Sequence, residues 1–175
     1  MTPRCTSSRV VYTNPWMRVR EDELVRPDGT RGLWGVVEKV DFALVIPVDG
    51  DGFHLVEQYR YPVGRRCWEF PQGSVPDLTD LAEVARIELA EETGFTAGSI
   101  ELLGMLDEAH GFSTQRFGVF LATDLTPGEP NRDADEQGMQ QKFVPRTAFE
   151  DMARSGELTD NSSLAAYTLL LLHGR

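Results

Sequence analysis

Apolar and polar positions change their period several times along the chain, and each change marks an element. Residues 16–26 and 33–39 flank Pro27-Asp28-Gly29-Thr30, a turn sequence between two extended runs, which predicts an N-terminal antiparallel hairpin. The run Phe42-Ala-Leu-Val-Ile-Pro-Val48 is apolar throughout, as expected of a strand covered on both faces. Asp49-Gly50-Asp51-Gly52 then turns the chain into a second central strand over 54–60. Trp68-Glu-Phe-Pro-Gln-Gly73 reads as a short strand broken by proline and glycine. The helical spacing that follows stops at Thr93-Gly94. Further strands are expected over 100–106, 117–121 and 140–144, with a loop over 107–115. Two helices close the chain, one over 147–154 and one capped near Asp160 that runs through LAAYTLLLL. Such mixing of strands and helices predicts an α/β fold.

The first helix carries the chemistry. At about 100° per residue, with Glu88 as zero, Glu91 falls near −60° and Glu92 near +40°. All three look the same way as Leu81, Val84 and Ala85, the stripe that should face the protein body. A solvated acidic helix face is the plain alternative. Acids turned inward need a compensating cation, and carboxylates are hard oxygen ligands suited to Mg²⁺ or Mn²⁺.

Composition narrows the function. The 175 residues, 41% of them hydrophobic, suit one well-packed domain. A formal charge of −11 argues against nucleic acid held on a basic surface, yet leaves room for a small phosphorylated ligand bound through a metal and one or two arginines. Cys5 and Cys67 form no motif and read as reduced thiols, which with the absence of a signal-like N-terminus predicts a cytoplasmic protein. The longest late apolar run, 164–172, is too short for a bilayer, so no membrane partner is expected.

The stretch 73–95 resembles the box of the Nudix hydrolases, G-x5-E-x7-R-E-U-x-E-E-x-G-U with U a bulky apolar residue. Gly73, Glu88, Leu89, Glu91, Glu92, Gly94 and Phe95 match it, while Thr79 and Ile87 stand where the box has glutamate and arginine. Arg86, about 160° from Glu88, points away from the acidic face and does not replace that arginine. The resemblance implies an α/β/α sandwich with a mixed central sheet. It implies a single domain over 1–175, whose residues 1–40 form a strand layer used in homodimerisation. It also implies that Glu88 and Glu92 bind the metal, that Glu91 bridges or supports them, and that the backbone carbonyl of Gln72 completes the shell. Glu91 and Glu92 are the catalytic carboxylates of this reading, and Gly73 lets the backbone turn toward the phosphates.

Beyond the box, Glu57-Gln-Tyr-Arg60 followed by Glu69-Phe-Pro-Gln-Gly73 is similar to the ADP-ribose/ADP-sugar pyrophosphatase subgroup. That likeness implies phosphate contact by Arg60, a residue that could equally sit in a surface ion pair. It implies an adenine sandwich between Trp16 and Trp34, donated across a dimer; the alternative is two half-buried aromatics packing one sheet layer. Where relatives carry an acid after the box, this chain has Gln115, which can bind substrate but cannot take a proton. A later acid is then expected from Asp133, Asp135 or Glu136, with Glu136 the first choice and a solvated loop the alternative. His110 is a candidate substrate contact, whereas His54 and His173 are expected to pack or cap, and Cys67 to be buried.

The resemblance predicts a Mg²⁺-dependent hydrolase that splits ADP-ribose or a relative into AMP and a sugar phosphate. The competing reading is a non-catalytic sensor of nucleotide sugars on the same fold. Thr79, Ile87 and Gln115 favour the sensor, and the three gathered glutamates favour the enzyme.

Overall fold

The computed structural model describes residues 2–75, 77–132, 136 and 138–174, which fall into two compact units, Met1–Asp41 with Leu106–Phe117, and Phe42–Met105 with Gly118–Arg175. In the first unit, β1 (Arg4–Thr13), β2 (Arg18–Val25) and β3 (Arg31–Glu38) pair in that order as an antiparallel sheet. The β2–β3 turn is the expected one. Arg26 N donates to Thr30 O at 2.8 Å, and Asp28 Oδ1 accepts from both the N–H and the hydroxyl of Thr30. The hairpin gains a third strand that the pattern of apolar residues does not announce. Every residue of β1 is exposed, so the strand carries no buried stripe to betray it. Ladder bonds to β2 and an ion pair between Arg9 and Glu21 hold it in place.

The second unit is built on β4 (Phe42–Asp49), the continuous apolar run. It sits centrally in a mixed seven-stranded sheet of order β10-β5-β4-β9-β8, with β6 paired to β5 and β7 paired to β4. The other members are β5 (Gly52–Arg60), β6 (Arg65–Glu69), β7 (Gln72–Gly73), β8 (Thr96–Asp107), β9 (Arg116–Thr126) and β10 (Gln140–Pro145). β8 and β9 run past the predicted limits of 100–106 and 117–121, since their added residues alternate in polarity and pair without a continuous apolar signal.

Successive side chains of β4 point to opposite faces, and each face takes its own helices. Ala43 and Val45 pack with Val84, Ala85 and Leu89 of α1 (Leu81–Thr93). The opposite face collects Phe53 and Phe70 against Phe149 of α2 (Arg146–Ser155) and Tyr167 of α3 (Asn161–Leu172). Its ring centroids lie 5.4 Å apart for Phe53–Phe149 and 5.2 Å for Phe70–Phe149. Helices therefore cover both faces of the sheet. Among the described residues, no helix is long and apolar enough to cross a membrane.

The ends of α1 are fixed by chemistry that the sequence displays. Asp80 caps the N-terminus by accepting from Ala82 N, and Gly94 closes the C-terminus at φ 77° with its N–H on Ala90 O. Gly94 has a second reason to be glycine. An added Cβ would lie 2.5 Å from the backbone oxygen of Gly128.

Gly94→Ala should therefore cost more stability than Gly156→Ala, whose site at φ 78° is open. The left-handed backbone alone accounts for about 1–3 kcal/mol at either position. Chemical denaturation of the two variants measures the excess, and equal losses would show that the loop yields without cost.

Candidate active site

β4 positions both halves of the site. Leu44 pairs with Gln72 and Ala43 with Gly73, while Val45 N donates to Pro71 O at 2.9 Å, so β7 lies fixed on the strand against which α1 packs. From α1, Glu88 and Glu92 stand one turn apart on the inward face. Both are buried, Glu92 completely. Glu136 joins them from the segment after β9, and the carboxylate oxygens of Glu88, Glu92 and Glu136 lie within 4.8 Å of one another.

The strand opposite is shaped around these acids. A Cβ on Gly73 would meet both carboxylate oxygens of Glu88 at 2.5 Å. The glycine thus leaves room for the Glu88 carboxylate, which would have to shift for any larger residue, and its φ is not positive. Gln72 N donates to Glu92 Oε2 at 3.2 Å. The other oxygen, Glu92 Oε1, is buried with no hydrogen-bond partner among the described residues. Burial first, then the charges of Glu88, Glu136 and Glu69, hold the Glu92 carboxyl well above the usual carboxylate range, with Arg60 acting in the opposite direction.

A second layer of polar groups surrounds the cluster. Glu69, buried at the end of β6, accepts from Gln58 Nε2 at 2.8 Å, Arg60 Nη2 at 2.6 Å and Arg60 Nε at 3.0 Å. Burial raises the Glu69 carboxyl and Arg60 opposes the rise. Held in this two-pronged grip, the Arg60 side chain keeps 40% of its surface exposed. Asp160, the N-cap of α3, accepts from Ser163 N at 2.8 Å and from Gln72 Nε2 at 3.3 Å, so one carboxylate braces a helix and the residue whose backbone touches Glu92. The charges of Glu69, Glu92 and Asp160 all act on Arg60, whose ion pair is with Glu69.

These donors fit a divalent cation. They are hard oxygens, three of them converge, and the unpartnered Glu92 Oε1 is the ligand atom such an ion would satisfy. Glu91, expected as a ligand, lies outside the converging trio, and its carbonyl accepts from Asn131 N at 3.0 Å. Its angular offset from Glu88 is opposite in sense to that of Glu92. Asp133 and Asp135 lie outside the described residues.

The remaining expectations lie apart from the converging trio. Trp16 lies in the turn before β2, 72% exposed, and Trp34 on β3 is 49% exposed with Nε1 donating to Gly111 O at 3.2 Å. They do not pack together in one layer. Trp34 stands opposite Asp22 and Arg18 opposite Glu38, so four rungs, roughly 13 Å, separate Trp34 from the strand end beyond which Trp16 sits. Gln115 is buried and its amide donates to Val40 O at 2.7 Å, which braces the loop. His54 packs on Phe95 with ring centroids 4.3 Å apart, His110 is exposed, and Cys67 is buried. Thr79 and Arg86 are exposed, away from the acids.

Sequence reasoning passed over Glu69, Asp160 as a site residue, and Arg132. Glu69 had a visible signal, an acid enclosed by apolar neighbours in Trp68-Glu69-Phe70. Asp160 was read only as a cap. Arg132 binds carbonyls, which every residue has, so no partner in the sequence points to it.

Two family models match the chain, one described as nucleoside diphosphate sugar hydrolase N-terminal domain over residues 4–37 and one as NUDIX domain over residues 39–164. The ADP-ribose pyrophosphatase of Mycobacterium tuberculosis (strain ATCC 25618 / H37Rv) is 32% identical over 166 residues, covering 91% of this chain and 78% of that protein. The ADP-ribose pyrophosphatase of Bacillus subtilis (strain 168) is 28% identical over 155 residues, covering 86% and 83%. The crystal structure of an ADP compounds hydrolase shares the fold with a TM-score of 0.85 at 20% identity, over 97% of this chain and 92% of that one. With a NUDIX domain matched over residues 39–164 and a relative aligned along most of both lengths, the chain belongs to the Nudix hydrolase family.

Proposed function

We propose that this Nudix hydrolase cleaves the pyrophosphate bond of a nucleoside diphosphate sugar in the presence of Mg²⁺, with Mn²⁺ as a substitute, taking ADP-ribose to AMP and ribose 5-phosphate. The observation that carries this reading is the convergence of Glu136 on the buried Glu88 and Glu92, one of whose oxygens has no hydrogen-bond partner among the described residues. The match of residues 4–37 to a nucleoside diphosphate sugar hydrolase domain and the names of the two relatives support the substrate class.

Glu88, Glu92 and the backbone carbonyl of Gln72 would hold the ion, with Glu91 in support. The ion supplies neutralisation of the pyrophosphate oxygens and a water of lowered pKa. Glu136 would take a proton from the attacking water. Arg60, pinned by Glu69 and partly exposed, would meet a phosphate oxygen. The two tryptophans are too far apart on one sheet to press on a single base. An adenine sandwich therefore takes Trp16 from one protomer and Trp34 from its partner, within a homodimer formed through the 1–40 strand layer.

A panel of nucleoside diphosphate sugars with Mg²⁺, analysed for nucleoside monophosphate and sugar phosphate, tests the reaction. ADP-ribose should give AMP and ribose 5-phosphate, and Glu88→Gln should abolish both products while the protein stays folded. Failure of the wild type on every nucleotide sugar would refute the reading. If Trp34 stacks on the base, Trp34→Ala should raise KM for ADP-ribose with little change in kcat, since the lost contact, worth roughly 1–3 kcal/mol, is made equally in ground and transition states. An unchanged KM in a folded variant would remove the tryptophan from the site.

A further inference from the structure

The last carbonyls of a helix have no partner within it, and how α1 satisfies them links the helix to the segment that carries Glu136. Ala90 O accepts from Gly94 N at 2.9 Å and Glu91 O from Asn131 N at 3.0 Å. Glu92 O accepts from Arg132 Nε at 3.0 Å. The same guanidinium reaches across the segment, where Nη1 donates to Met139 O at 2.6 Å. Met139 in turn donates its N–H to Glu136 O at 2.9 Å. One planar fork thus joins the backbone of Glu92 to a residue bonded to Glu136. A lysine could serve either carbonyl but not both in this geometry. The positive charge also sits where the helix C-terminus favours it. Arg66 on β6 fixes the neighbouring carbonyl, Gly138 O, at 2.8 Å, but has no hydrogen bond to α1.

We propose that Arg132 is a positioning residue that sets the reach of the Glu136 carboxylate to Glu88 and Glu92 by tying the end of α1 to Met139. The inference rests on Glu136 belonging to the site, as proposed above. It assigns to Arg132 no contact with substrate or metal. Its effect passes through Glu136 alone.

A double-mutant cycle decides it, using Arg132→Met and Glu136→Gln singly and together, with two readouts: Mn²⁺ affinity of the metal-free protein by titration, and kcat with KM for ADP-ribose in Mg²⁺. Arg132→Met should lower Mn²⁺ affinity or kcat roughly 10- to 100-fold, as loss of an outer support does at metal sites, with KM little changed. In the Glu136→Gln background the same substitution should have no further effect. Arg132→Lys, which keeps the charge at the helix end but loses the fork, should behave as Arg132→Met does while unfolding at the wild-type temperature; it replaces that variant in the cycle if Arg132→Met does not fold. Wild-type behaviour of Arg132→Lys, or a full additional loss when either arginine variant is combined with Glu136→Gln, would overturn the inference while leaving Glu136 in the site. Wild-type metal affinity and kcat in Glu136→Gln would remove Glu136 from the site and this inference with it.

Discussion

A carboxylate taken out of water without a counterion is among the most expensive groups a protein can bury, and this fold buries one completely at its centre. Glu92 meets Gln72 N through one oxygen and, among the described residues, no hydrogen-bond partner through the other, with Glu88 and Glu136 beside it. Removing the cost would have been simple in sequence terms, since an apolar residue on that face of α1 would extend the stripe of Val84, Ala85 and Leu89. The acids are held together instead, and the surroundings are arranged to keep them so.

That arrangement explains features with no other evident purpose. Gly73 leaves space for the Glu88 carboxylate. Asp160 serves two elements, capping α3 and holding the Gln72 amide, so the C-terminal helix is tied to the strand that faces the cluster. Glu69 carries its own cation in Arg60. The large aromatic contacts of Phe53, Phe70, Phe149 and Tyr167 lie on the other face of the sheet, where they stabilise the platform without entering the site. One strand, β4, carries both layers: on one face it packs against α1, which bears Glu88 and Glu92, and on the other it backs the aromatic cluster.

Much of this was legible in the residues. The face shared by Glu88 and Glu92, the stop at Gly94 and the cap at Asp160 follow from helical periodicity and capping chemistry, which are local. Glu136 was within reach as one of three acids in a late loop, though only tertiary structure brings it to α1. What could not be read depends on contacts without a sequence signature. β1 is exposed throughout and pairs through its backbone. Arg132 binds carbonyl oxygens, and Gln115 turned out to be buried against one. Trp16 and Trp34 are expected from the sequence on the N-terminal hairpin, and only the ladder register shows how far apart they stand along it.

The central claim is that the cluster is assembled for a divalent cation. Because burial and neighbouring acids raise the Glu92 carboxyl, the folded state holds a proton that the unfolded chain releases, and the metal-free protein should lose stability as pH rises from the ordinary carboxylate range. The measurement is thermal unfolding of the wild type and Glu92→Gln above neutrality, in chelator and then in Mg²⁺. The account predicts that Glu92→Gln unfolds at a higher temperature than the wild type in chelator, and that Mg²⁺ raises the wild-type midpoint but not that of the variant. A Glu92→Gln protein less stable than the wild type in chelator, with no response of the wild type to Mg²⁺, would contradict it.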